Sequence, residues 1–92
     1  MQVANRFFGN FGRHSDLAAA FKDGYPVSPG HALIVPRRHV ADLFELTAEE
    51  QAALWRMLPE VKARLDARHA PDGFNVGVNV GTAAGQTVGH VH

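Results

Sequence analysis

Phe74-Asn75-Val76-Gly77-Val78-Asn79-Val80, then Gly81-Thr82-Ala83-Ala84-Gly85, then Gln86-Thr87-Val88-Gly89-His90-Val91-His92: these consecutive runs end the sequence. In an extended chain alternate side chains point to opposite faces. The first run then sends Phe74, Val76, Val78 and Val80 one way, and Asn75, Gly77 and Asn79 the other. A glycine weakens a strand unless something approaches its face closely, so the small, polar side reads as the wall of a ligand site. The five-residue run bounded by Gly81 and Gly85 reads as a hairpin loop. Beyond it, parity puts His90 and His92 on one face, with Val88 beside them and Val91 turned toward a core. Two imidazoles on one strand make a chemical centre, because each can be neutral or carry a proton near pH 7. An H-x-H pair alone reads equally well as two solvated histidines near a chain end.

Working back from there, residues 31–35 form a short apolar run closed by Pro36, the pattern of a buried strand. Residues 17–22 fit helix or strand by propensity. Their shortness and the Asp23-Gly24 turn that follows favour a strand. Residues 24–30, with Pro26 and Pro29, read as a loop. Thr47-Ala48-Glu49-Glu50 is a capping-box sequence, with Thr47 as N-cap. Behind it Leu54, Leu58, Val61 and Leu65 recur at helical spacing, which predicts a helix over 48–68 ended by Pro71-Asp72-Gly73. Pro59 lies inside it and predicts a kink or a division into two shorter helices. Residues 42–46 predict a short turn ahead of the cap. The class is α+β: an antiparallel sheet containing 31–35, 74–80 and 88–92, with one main helix packed on one face.

With 92 residues, the chain holds one small domain, and its limited core makes self-association a natural gain. Hydrophobic residues make up 46% and charged residues 20%, a globular balance. Nine basic residues offset nine acidic ones, which argues against a nucleic-acid polymer or a membrane surface as partner. With no cysteine, disulfides and thiolate metal sites are excluded. No stretch has the length of a membrane span or the layout of a signal peptide, so a cytoplasmic protein is expected.

The closing runs, together with Asp23-Gly24-Tyr25-Pro26-Val27-Ser28-Pro29-Gly30-His31-Ala32-Leu33-Ile34-Val35-Pro36-Arg37-Arg38-His39-Val40, resemble the histidine triad (HIT) nucleotide hydrolases and transferases. The likeness runs from about Ser15 to the end. On it, residues 1–92 are a single HIT domain with an N-terminal arm over 1–14. The family motif is H-x-H-x-H-x-x, and this sequence matches it only through the second histidine. The C-terminal end of the domain is therefore expected to be missing. The resemblance implies a HIT-like sheet and a homodimer. It implies hydrolysis or transfer at the α-phosphate of purine nucleotide derivatives, such as nucleoside phosphoramidates or dinucleoside polyphosphates, without a cofactor or metal.

By motif position His92 is the nucleophile that becomes nucleotidylated, His90 is the first triad histidine, and His39 is a supporting histidine. Neutral imidazole suits that role, since a covalent intermediate divides one hard displacement into two. One ring nitrogen attacks while the other is held as a donor. Read alone, His39 is a surface histidine after two arginines. Asn79, Gln86 and Thr87 match substrate-binding positions, and an amide or hydroxyl there can donate to charge developing on phosphate. Thr87 has the wrong parity and reaches the site only if the strand begins after it. Asp23 matches a carboxylate that accepts from ribose hydroxyls, and otherwise it is an ordinary turn residue. The competing use of the histidines is zinc, but no third ligand stands at motif-like spacing. The loop 81–85 offers backbone N–H groups to a phosphate, without the Gly-Lys-Ser/Thr ending of a Walker loop. The alternative function is a nucleotide-binding module that does not turn over, its triad being incomplete.

Overall fold

The computed structural model describes residues 17–22 and 30–92. Asp23, His14 and the 1–14 arm lie outside these residues. Strand β1 (Ala18–Lys22) pairs antiparallel with β2 (Ala32–Pro36), in a register from Ala18 opposite Pro36 to Lys22 opposite Ala32. Arg37 N–H donates to Leu17 O at 2.9 Å and carries the pairing one step further. The chain enters β2 through Gly30, at φ +87, where a Cβ would come within 3.2 Å of the His69 ring. Both the left-handed backbone and the close approach favour glycine there.

The sheet has an apolar cluster on each face, as strand alternation requires. Ala18 and Ala20 pack with Leu46, Ala53, Leu54, Met57, Val61, Leu65 and Val91. Ala19, Phe21 and Val35 form the second cluster, with Leu33 against it. The alanines of β1 let the helices come close to the sheet, and Phe21 fills the other side with no exposed surface. Burying one such aromatic side chain contributes on the order of 1.5–3 kcal/mol.

A 3₁₀ turn (Leu43–Glu45) capped by Asp42 precedes the helices, as expected. Helix α1 (Ala48–Arg56) opens on the predicted capping box: Thr47 Oγ1 accepts from Glu50 N–H at 3.1 Å, and Glu50 Oε1 accepts from Thr47 N–H at 2.9 Å. The helical stretch is divided, and α2 (Leu58–His69) begins one residue before Pro59. Proline costs little in a first helical turn, where its missing N–H has no partner to lose. The apolar stripe runs on across the break at Met57, at four-residue spacing from Ala53 to Leu65. Ala53 and Met57 join Leu54, Val61 and Leu65 in the core, while Leu58 is half-buried. Helix α2 ends with Ala70 in the left-handed region, its N–H donating to Asp66 O at 3.0 Å.

Residues 74–80 and 88–92 correct the predicted sheet. Neither run joins a ladder, and the sheet among the described residues has two strands. Among the described residues no backbone hydrogen bond is made by residues 73–80. Phe74 and Val76 are 42% and 55% exposed, and of the four alternating apolar residues Val78 packs against the core. Period-two alternation fixes register only where one face is buried, and here half of that face is not. The segment is tied laterally by Lys62, whose ammonium lies 5.3 Å from the centre of the Phe74 ring.

Candidate active site

The end of β2 and the residues after it present a row of carbonyls, and the histidine segment hangs from them. His90 Nε2–H donates to Pro36 O at 3.1 Å, Val91 N–H to Val40 O at 2.8 Å, and the Gln86 side-chain amide to Ala41 O at 2.7 Å. Val91 is 2% exposed and enters the main core, which seats the segment from below. In place of ladder pairing, this part of the chain is positioned by one core side chain and three bonds to one neighbouring strand end.

His90 has no exposed surface and does not line the open hollow beside it, whereas His92 is half-buried and does. Burial is the largest influence on His90 and pushes its pKa below the ordinary histidine value. The bond to Pro36 O opposes that, while the neighbouring His39 and His92 rings add to it. A carbonyl can only accept, so Nε2 carries the proton and the buried Nδ1 holds a lone pair with no partner. The neutral ring is the form this environment favours. His39 stacks obliquely on it, with ring centroids 4.7 Å apart and planes at 53°.

His92 has the complementary arrangement. Its Nδ1 lies 2.9 Å from His90 O, and the carbonyl again dictates that nitrogen as the donor. That leaves Nε2 of a neutral His92 as an unprotonated lone pair, on a residue that lines the hollow. A fixed donor on one nitrogen and a free pair on the other is what nucleophilic attack by imidazole requires.

The hollow has a volume of about 1240 Å³ and opens widely to solvent. Asn79 and Thr87 line it alongside His92, and both are exposed. Asn79 also makes a long bond, 3.5 Å, to Gly85 O across the loop. Gln86 is engaged differently: Nε2 donates to Ala41 O and to Val88 O (3.0 Å), and Oε1 accepts from Gly81 N–H at 2.8 Å. The loop itself is a 3₁₀ turn (Thr82–Ala84) between two positive-φ glycines, Gly81 at φ +88 and Gly85 at φ +97. The N–H groups of Gly81, Ala84 and Gly85 are used inside it, so they are not presented to a phosphate.

Two residues carry more than their sequence positions suggested. His31, read only as the start of a strand, lines the hollow with His92. Arg38 forks onto Glu50, Nε to Oε2 at 2.9 Å and Nη2 to Oε1 at 2.8 Å, and Nη2 also reaches Glu45 O at 3.1 Å. This pins the strand-end row of carbonyls to the capped start of α1. The Arg38 guanidinium, followed by the Thr47 N–H, holds the Glu50 carboxyl at about 2. A pairing twelve positions apart has no periodic signature in sequence. Among the described residues no group of three or more histidine or acidic side chains is placed to hold a metal ion, and no helix is long and apolar enough to cross a membrane.

Residues 10–92 match the HIT domain family. An uncharacterised HIT-like protein of Synechococcus elongatus is 43% identical over 77 residues, covering 84% of this chain and 68% of that protein. The asymmetrical bis(5'-nucleosyl)-tetraphosphatase of Schizosaccharomyces pombe is 38% identical over 76 residues, 83% of this chain and 42% of the enzyme. The crystal structure of a HIT family protein from Bacillus anthracis superposes with a TM-score of 0.81 at 36% identity. It covers 87% of this chain and 57% of that one. The chain thus spans between about two fifths and two thirds of the length of these relatives. With a family match over most of its length and a fold shared with solved members, the chain belongs to the HIT domain family.

Proposed function

We propose that this chain carries the nucleophile and part of the nucleotide site of a hydrolase or transferase acting at the α-phosphate of purine nucleotide derivatives. The observation that carries the reading is the His92 Nδ1 to His90 O bond of 2.9 Å beside an open hollow. His92 Nε2 attacks the α-phosphorus, and the bond to the leaving group breaks. The leaving group takes that bond's electron pair and a proton from solvent. As the new P–N bond makes the ring cationic, the Nδ1–H to carbonyl bond becomes charge-assisted and strengthens. Water then attacks phosphorus and gives one proton to solvent, the P–N bond breaks with its electron pair returning to Nε2, and the nucleotide leaves with neutral His92 restored. Neutral His90, with His39 stacked on it, holds the carbonyl to which His92 is tied.

Asn79 and Thr87 are the candidate phosphate and leaving-group contacts, and Asp23 the candidate ribose contact. Nucleoside phosphoramidates and dinucleoside polyphosphates are the proposed substrates; the tetraphosphatase name borne by a relative supports the second class. The reading includes a cytoplasmic homodimer, and exposed Phe74, Val76 and Val88 are apolar surface available for self-association. Titration with adenosine or guanosine monophosphate, followed by NMR, tests the site. Amides of Asn79, Thr87 and His92 are expected to shift first. Shifts confined to Arg37 and Arg38 would point to loose electrostatic contact and overturn the assignment.

A further inference from the structure

Gln86 combines three features. It sits four residues before the first histidine of the segment, its side chain spans chain segments far apart in sequence, and both polar atoms of that side chain are bonded within the protein. A primary amide has two N–H donors and one oxygen. Here both donors go to carbonyls, Ala41 O at 2.7 Å and Val88 O at 3.0 Å, and the oxygen takes the Gly81 N–H at 2.8 Å. The amide orientation follows from these partners. Turned over, its oxygen would face two carbonyl oxygens and its NH₂ would face an N–H. The Gln86 main-chain N–H also closes the loop onto Gly81 O at 3.2 Å.

Resting on the proposed chemistry at His92, we infer that Gln86 is a positioning residue: it acts through the histidine segment and does not contact substrate. Residues 73–80 supply no ladder to hold the segment in register. The Gln86 bond to Ala41 lies next to the Val91 bond to Val40, so the two anchor adjacent carbonyls. Val88 O, held by the same amide, fixes the approach to Gly89 and His90. Moving this clamp moves the carbonyl of His90, and with it the donor bond that keeps the His92 lone pair on Nε2. Misplacement by about 1 Å far from the reacting atoms can cost ~100-fold in rate.

Gln86→Glu tests this with little change in shape, because a carboxylate cannot donate to Ala41 O and Val88 O. In the ligand-free variant the ¹⁵N signals of His92 should depart from the single Nδ1–H tautomer, and the Val91 amide should exchange faster. Methyl signals of Val61 and Leu65 report that the helical core is intact. Binding of adenosine monophosphate should weaken by less than about 3-fold, while the rate of His92 nucleotidylation falls ~100-fold. Unchanged histidine spectra with lost nucleotide affinity would overturn the inference and make Gln86 a substrate contact. If Gln86→Glu does not fold, the unsubstituted chain still decides. Its Gln86 side-chain NH₂ signals should be protected from exchange and unmoved by the nucleotide. Rapid exchange, or a shift as large as that of Asn79, would overturn the inference. Since the tautomer and exchange readouts need no substrate, they stand or fall apart from the proposed activity.

Discussion

The first region, residues 17–22 and 30–69, and the second, residues 73–92, are held in order by different means. In the first region the backbone bonds to itself, through the β1–β2 pairing and two capped or continued helices, and the apolar side chains close over it. In the second, residues 73–80 have no backbone hydrogen bond among the described residues. The histidines hang from the carbonyls of Pro36 and Val40 and from the Gln86 clamp on Ala41. A site built on a few side chains should be able to fail while a scaffold built on cooperative ladders stays folded. The site is open to rearrangement by single substitutions that leave the scaffold folded, which is the low-stability behaviour usual for binding segments.

The strongest way to break that comparison is to remove the scaffold. Phe21→Ala empties a fully buried site in the face of β1 away from the helices and should cost ~3–5 kcal/mol. Urea unfolding should show both regions lost together. Retention of histidine order in a chain whose helices have melted would mean the site does not depend on the scaffold. Val91→Ala sharpens the contrast. It removes the one core anchor of the histidine segment, at a global cost of ~2 kcal/mol from lost methyl burial. Hydrogen exchange should rise sharply at Val91 and His92 and little in α1 and α2. An even rise across the chain would erase the distinction.

The effect smallest at neutral pH concerns a tie inside the first region, between the strand end from which the histidines hang and the start of α1. Glu50 has a folded pKa of about 2 against an ordinary 4.5, held down first by Arg38 and then by Thr47. A carboxyl depressed on folding contributes stability that is fully present above its unfolded value and is lost as pH falls through the folded one. Stability should therefore decline from pH 4.5 toward about 2, and Glu50→Gln should flatten that decline. Thermal unfolding at stepped pH reads it directly. An unchanged acid limb in the variant would assign the decline to other carboxylates.

These differences explain which features were legible in the sequence. The Thr47-Glu50 box, the division of the helix near Pro59 and the short turn over 42–46 were readable because each depends on neighbouring residues; the Asp42 cap of that turn was not read. The strands β1 and β2 were readable from short apolar runs bounded by turn residues. The alternation over 74–80 predicts side-chain parity and does not say whether the backbone has a partner; among the described residues it has none, and residues of both predicted faces line the hollow. His90 and His92 announced themselves by residue type. Their unequal burial, with His90 sealed and bonded to Pro36 O and His92 on the hollow, has no signature in residue type or spacing. His31 and Arg38 were passed over because their neighbours in space are distant in sequence. Gln86 was read by motif position, and only the three bonds of its amide suggest another role.

The most direct test of chemistry at His92 is to trap the nucleotidyl-enzyme. The protein is mixed with a nucleoside phosphoramidate, quenched within the first turnover, digested at neutral to alkaline pH and mapped by mass spectrometry. The added nucleotidyl mass should fall on His92 alone, and His92→Ala should carry no label and lose several orders of magnitude in hydrolysis, since no other side chain there replaces an attacking imidazole. A label on His90, His39 or His31, or full activity in His92→Ala, would contradict it.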